Sequence, residues 1–245
     1  MPRFFVSKDN ISDAALFIEG DDARHIARSL RMAVGDEITV SDGVGAEYTA
    51  TLERIRDERV DALIVSSRPS PSEPSVRITL YMAYPKGDKL ETVVQKAVEL
   101  GVSRIVPFES SRCIKRPSAD KAEANRKRLS RIALEAAKQC GRGIVPEVAL
   151  PVSFREAVKE AASADLPLFC YEDESGTNIK TVLEGATAVK SVSVMVGSEG
   201  GFSPDEASAA REGGLISVGL GPRILRCETA PLCALSAVMY HTGEF

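Results

Sequence analysis

The pattern of apolar and polar positions changes character about a third of the way along the chain. Between residues 36 and 65, short β-prone runs at 37–41, 48–52 and 60–65 alternate with turn chemistry such as Asp42-Gly43. Alternation of this kind, interrupted by Asp-Gly, predicts strands joined by tight turns. A small β-rich barrel or sheet is therefore expected. The stretch Ser66-Ser67-Arg68-Pro69-Ser70-Pro71-Ser72-Glu73-Pro74 follows, dense in residues that neither continue a strand nor start a helix comfortably. The domain boundary is placed there, with a first domain over 1–72 and a second over 73–245.

Past that boundary, β-prone runs alternate with segments of helical period, the signature of parallel strands joined by crossover helices. Residues 76–84 are predicted as a strand. Asp88, with Glu91 three residues on, resembles a capping box, and Leu90, Val93, Val94, Ala97 and Val98 then recur at helical spacing until Gly101. The next strand is expected at 104–108 and a longer, basic helix at 122–140, stopped by Gly141 and Gly143. Later strands fall at 168–171, 192–196 and 215–218. The fold class is α/β, and no internal repeat is found.

Composition sets bounds on function. Hydrophobic residues make up 44% of the 245 and charged residues 27%, and no apolar run approaches the roughly 18 residues of a membrane span. The first ten residues carry no basic segment followed by a long apolar one, so no export is expected and the cytoplasm is the expected compartment. Five cysteines without a C-x-x-C pair, and only two histidines, argue against a metal site. The net charge is -4, yet it is unevenly spread. Residues 102–146 hold eleven Lys or Arg against four Asp or Glu, leaving that segment at +7 and the remainder at -11. Such a block suits phosphate contacts, and equally a solvated helix face.

Two glycine-rich loops carry the candidate chemistry. The strand at 192–196 runs into Gly197-Ser198-Glu199-Gly200-Gly201-Phe202, and Ser203-Pro204-Asp205-Glu206 opens a helix with a cap, a first-turn proline and an acidic third position. A glycine loop at the carboxyl end of a strand is a ligand position in α/β folds, although a tight turn needing positive φ reads the same way. The loop lacks the Gly-Lys-Ser/Thr of a P-loop and the G-x-G-x-x-G of dinucleotide binders. A second loop, Gly219-Leu220-Gly221-Pro222-Arg223-Ile224-Leu225-Arg226, leads into a helix at 228–240 with Pro231 in its first turn. Converging on one ligand, the two loops would offer backbone groups to an adenine edge and apolar walls from Leu220, Ile224 and Leu225. Leu168 and Tyr171, with Val196 and Val218 at the strand ends, are expected to complete the site. S-adenosylmethionine fits this arrangement better than ATP.

At these residues the chain resembles the 16S ribosomal RNA uracil-N3 methyltransferases, the ribosomal RNA small subunit methyltransferase E family of the SPOUT superfamily. The likeness rests on the run from Gly197 to Phe202, on the run from Gly221 to Ala230, and on several shorter words. These are Pro2-Arg3-Phe4-Phe5, His25 to Met32, Lys96 to Val102, Ser111-Arg112-Cys113 and Gln139-Cys140-Gly141-Arg142, in the same order and at similar spacing. The resemblance implies a PUA-like β-barrel that meets RNA, then a SPOUT domain whose carboxyl end forms a trefoil knot around the cofactor. It also implies S-adenosylmethionine as donor, 16S ribosomal RNA or the small ribosomal subunit as partner, and a homodimer. Ser198 stands where the family commonly has proline, and Cys227 where it commonly has threonine.

Uracil N3 is protonated at neutral pH, so its methylation removes that proton and spreads negative charge onto O2 and O4. Arg226 is the first candidate for holding that charge and Arg223 the second. An ion pair from Arg226 to Glu228 or Glu199 is the structural alternative. Arg3 and Arg31, in the family's motifs, are expected to position RNA, as are Arg28, Arg112, Lys115 and Arg142. Glu199, beside glycine amides, is expected to have a lowered pKa and to orient rather than take a proton. Cys227 is read as a packed side chain, since nitrogen methylation needs no thiolate. Two rival readings remain open at this point: RNA binding without catalysis, and methylation of a transfer RNA or a ribose 2'-hydroxyl.

Overall fold

Period-two patterning in the amino-terminal third becomes a five-stranded curled sheet. Its strands are β1 (Arg3–Phe5), β2 (Ala15–Glu19), β3 (Glu37–Ser41), β4 (Ala46–Ile55) and β5 (Arg59–Pro69), in the order β1-β3-β4-β5-β2. All neighbours are antiparallel except β1 and β3. Alternate side chains point to one side, where Phe4, Leu16, Ile18, Ile38, Val40, Leu52 and Val60 form the core. The helix α1 (Gly20–Arg24) continues as a π-helical turn, His25–Ser29, and contributes Ala23 and Ile26. The computed structural model describes residues 1–114 and 119–245.

The chain divides into one unit of Met1–Glu73 with Ala137–Val145 and another of Pro74–Ala136 with Pro146–Phe245. Two features of the first unit depart from the sequence pattern. β5 runs four residues beyond its predicted end, because Ser67, Arg68 and Pro69 pair with Tyr48, Glu47 and Ala46 of β4. Partner strand outweighs composition there, and the proline sits at the strand's end, where a missing N–H is tolerated. Residues 137–145 are held by Glu73, which accepts from Gly143 N at 2.7 Å and Ile144 N at 3.0 Å and pairs with Arg142 at 2.7 Å. Gly143 is needed for contact rather than for stopping a helix, since a Cβ there would lie 2.3 Å from Ser70 Cβ.

In the second unit, β6 (Arg77–Ala83), β7 (Arg104–Glu109), β8 (Glu147–Val148), β9 (Val152–Ser153), β10 (Leu166–Cys170), β11 (Ser191–Val196) and β12 (Ile216–Val218) form one parallel sheet. The order is β12-β10-β11-β6-β7-β8, with β9 beside β7. Every residue of β10 and five consecutive residues of β11 are buried, as expected of parallel strands covered on both faces. The crossovers carry α2 (Lys89–Glu99), α3 (Ala119–Cys140), α4 (Phe154–Ala161), α5 (Ile179–Gly185) and α6 (Pro204–Glu212).

Helix starts differ in how far they follow their sequence signals. Ser203 caps α6 with a complete capping box from Glu206 and with Pro204 in the first turn. Asp88 precedes α2 but makes no side-chain cap, because its backbone lies at φ -100°, ψ 11° rather than in the extended region a cap needs.

The path through the sheet puts the ligand loops together. β11 inserts between β10 and β6, β12 lands beyond β10, and the final helix α7 (Ala230–His241) returns to pack on β11, α2 and α5. A parallel α/β sheet and a separate curled sheet are the two kinds of unit that the resemblance implies. Among the described residues no helix is long and apolar enough to cross a membrane.

Candidate functional site

The carboxyl ends of β10, β11 and β12 open into a cavity of about 360 Å³, at the edge where ligands bind in open α/β sheets. One wall is the loop after β11. Gly201 N donates to Ser198 O at 2.9 Å, and Gly201 sits at φ +63°, a conformation that favours glycine. A Cβ on Gly201 would fall 1.6 Å from Glu172 Oε1, so the absent side chain keeps that wall open. Phe202 anchors the loop from below, with its ring 4.5 Å from Phe169 and stacked at 6.2 Å on Phe108. The facing wall is the loop after β12, where Gly221 has φ +110°.

Most of the residues expected to hold a cofactor meet here. Tyr171, Val196, Gly197, Glu199 and Gly201 line one side; Leu220, Gly221, Pro222, Ile224 and Leu225 line the other, with Arg223 and Arg226. Four expected residues do not line it. Leu168 and Val218 are buried within their strands. Gly219 instead donates to Thr177 O at 2.8 Å, and a Cβ there would lie 2.5 Å from Glu174 O. Gly200 faces Arg112, whose Nη1 donates to its carbonyl at 2.9 Å. Sequence reasoning missed Lys89, Cys170, Glu172, Ser198, Cys227 and Ala230. Lys89 was legible only as the first residue of a helix, because its partners lie far along the chain.

Lys89 organises the charges of the cavity. Its Nζ lies 2.8 Å from Glu199 Oε1 and 3.5 Å from Glu228 Oε2. Burial works to raise the Glu199 pKa, but Lys89 and the Lys86 N–H outweigh it and hold the carboxyl below its usual value. Bonding to Glu199 raises the Lys89 ammonium in turn. Glu199 is thus a poor proton acceptor, in the direction expected from sequence but through Lys89 and the Lys86 N–H rather than through glycine amides, and Lys89 stays charged. Both carboxylates that could have paired with Arg226 are taken by Lys89; among the described residues Arg226 has no ion pair, and it is exposed. Cys227 is buried, which together with its bond to Glu228 pushes the thiol up to about 12. A thiolate nucleophile is disfavoured there.

The residues expected at RNA are placed differently from one another. Arg31 is exposed and has a positive φ of 51°. Arg28 is exposed and pairs with Asp57 at 2.5 Å, a contact that exposed arginine exchanges at little cost. Arg3 pairs with the buried Glu47 at 2.6 Å, and Arg112 braces Gly200. Arg142 corrects the expectation: its side chain is only 4% exposed and is committed to Glu73, so it is not presented to a phosphate. Lys115 lies outside the described residues. Within the basic segment, Arg104, Arg126, Arg128 and Lys138 also pair with carboxylates, so much of its excess charge is locally compensated.

With this geometry in view, residues 72–239 match the family described as RNA methyltransferase domain, and residues 18–65 match that described as RNA methyltransferase PUA domain. A parallel-sheet α/β domain with a cavity at its strand ends, preceded by a curled sheet that matches the PUA family, defines the class: RNA methyltransferases of the SPOUT type. The chain is 33% identical to ribosomal RNA small subunit methyltransferase E of Bacillus subtilis over 99% of its length and 97% of that protein's. It is 31% identical to the Synechocystis protein of the same name, over 96% of this chain and 76% of that one. A crystal structure of ribosomal RNA small subunit methyltransferase E from Neisseria gonorrhoeae bound to S-adenosyl methionine superposes with a TM-score of 0.86. It is 33% identical and covers 98% of this chain and 97% of that one. The chain belongs to the ribosomal RNA small subunit methyltransferase E family.

Proposed function

We propose that the chain transfers the methyl group of S-adenosylmethionine to N3 of one uridine in 16S ribosomal RNA of the small subunit. The observation that carries this reading is the glycine-walled cavity with two exposed arginines, Arg223 and Arg226, on its lining. Its volume of about 360 Å³ lies in the range of small-molecule sites, roughly 300–1,000 Å³. Leu220, Ile224 and Leu225 suit a flat adenine, and the side-chain-free backbone at Gly197 and Gly221 suits close approach. When bound, S-adenosylmethionine supplies an electrophilic methyl group.

The chain's own residues then bind and polarise the uracil. Arg226, unpaired with any carboxylate among the described residues, holds the negative charge that develops on the uracil oxygens as N3 loses its proton; Arg223, on the same lining, is the second candidate for that role. Glu199, kept ionised by Lys89, shapes the loop rather than accepting the proton. Cys227 packs. Arg31 and Arg28 position RNA on the PUA unit, and Arg3 does so while holding Glu47. The working form is a homodimer, a reading supported by exposed apolar side chains at Tyr240 and Phe245 near the carboxyl end.

The test uses small subunits from a strain lacking the gene, incubated with the protein and isotopically labelled donor, then digested to nucleosides for mass spectrometry. Label in 3-methyluridine supports the reading. Label at a ribose 2'-hydroxyl, or in transfer RNA alone, replaces the substrate assignment. No label in any RNA, with no binding heat for the donor, favours RNA binding without catalysis.

A further inference from the structure

The two loops that wall the cavity are separated along the chain by α6 and β12, and no strand pairing joins Glu199 to Glu228. One side chain from a third element reaches both. Lys89, the first residue of α2, lies 2.8 Å from Glu199 and 3.5 Å from Glu228, and its Nζ is 3.9 Å from Cys227 Sγ. Beside it, Lys86 N donates to both Glu199 oxygens at 3.0 and 3.3 Å. The three charged side chains are each about one-third exposed or less, at 32%, 29% and 27%. They are therefore partly shielded, and a lost pair is felt more than on an open surface.

Removing the cation would leave two like-charged carboxylates facing one another beside the cavity. Each would repel the other, and each loop would lose its tie to α2. Resting on the reading that this cavity takes S-adenosylmethionine, we propose that Lys89 is a positioning residue: it clamps the loop after β11 to the loop after β12 by bridging Glu199 and Glu228. Lys89 touches no reacting atom in this role. Its effect reaches the ligand through the loops. Arginine has the reach and charge to replace it, whereas methionine keeps the apolar stem and loses the bridge.

The experiment combines Lys89→Met, Lys89→Arg and the double variant Glu199→Gln/Glu228→Gln, alone and with Lys89→Met, in the full chain. Hydrogen exchange without any cofactor is read over the peptides covering 197–203 and 219–229. Lys89→Met speeds exchange in both segments, and Lys89→Arg restores most of the protection. Calorimetry then shows S-adenosylmethionine and S-adenosylhomocysteine binding weakened together in Lys89→Met, by about 5- to 20-fold. Adding Lys89→Met to the double glutamine variant produces little further loss, because the partners are already gone. The donor KM rises while kcat changes less. Unchanged exchange in Lys89→Met, or full additivity with the glutamines, overturns the clamp. Altered exchange in a protein whose parent form gives no binding heat for S-adenosylmethionine would instead leave the clamp standing and overturn the cofactor reading.

Discussion

Gly201→Ala tests whether the loop geometry seen here is the geometry that binds. Gly201 lies at φ +63°, where an L-residue costs about 1–2 kcal/mol. The new methyl would also meet the Glu172 carboxylate, the far end of a flexible side chain that can turn aside, so the backbone cost dominates. That cost has two places to appear. If the loop keeps its shape, the folded state carries the strain and the unfolding midpoint falls by about 2–4 °C per kcal/mol for a chain of this size. If the loop relaxes, stability is spared and cofactor binding must restore the shape, weakening affinity by about 5- to 30-fold. Stability and binding losses, measured by calorimetry on one preparation, therefore sum to about 1–2 kcal/mol. Gly35→Ala is the control, with φ +96° and nothing within 4 Å: it costs stability alone. A Gly201→Ala protein with parental midpoint and parental affinity would refute the reasoning.

Four further outcomes are expected. Arg226→Ala keeps S-adenosylmethionine affinity within about 3-fold but slows methyl transfer by about 100-fold or more, as loss of an electrostatic stabiliser does; equal loss of binding and rate would move Arg226 into the cofactor wall. Cys227→Ser retains kcat within about 3-fold, because a thiol pushed up to about 12 is not the nucleophile at neutral pH; a collapse in rate would reinstate it. Phe202→Ala lowers stability by about 3–5 kcal/mol, read by denaturant unfolding, since Phe202 is fully buried against Phe169 and Phe108. Burial alone would raise the Glu73 pKa, but Arg142 and the N–H groups of Gly143 and Ile144 depress it. Glu73 therefore stabilises the fold above its unfolded value of roughly 4.3, and that contribution is lost as pH falls through the lower folded value. Glu73→Gln destabilises the protein by about 2–4 kcal/mol at neutral pH and flattens the acid limb of the stability profile; an unchanged limb would contradict the assignment.

Local signals carried the sequence reading furthest where one element satisfies itself. β3 has the bounds its alternation predicts, and Ser203 with Glu206 closes the box its spacing announces. The same signal was present in Ser153-Phe154-Arg155-Glu156 and would have found α4, whose capping box is complete. What escaped depends on partners remote in sequence. The serine- and proline-rich end of β5 is a strand because β4 lies beside it, and Arg142 is a buried structural group because Glu73 faces it. The candidate site shows the same division. Glycine loops and their apolar residues are visible as motifs, whereas Lys89 acquires meaning only when folding brings Glu199 and Glu228 to it.

The most direct measurement is a crystal structure of this protein with S-adenosylmethionine. The ligand is expected in the cavity at the ends of β10, β11 and β12, with its adenine against Leu220, Ile224 and Leu225 and with Arg226 on the open side toward substrate. Density for the ligand at any other place on the chain, with this cavity empty, would contradict that placement.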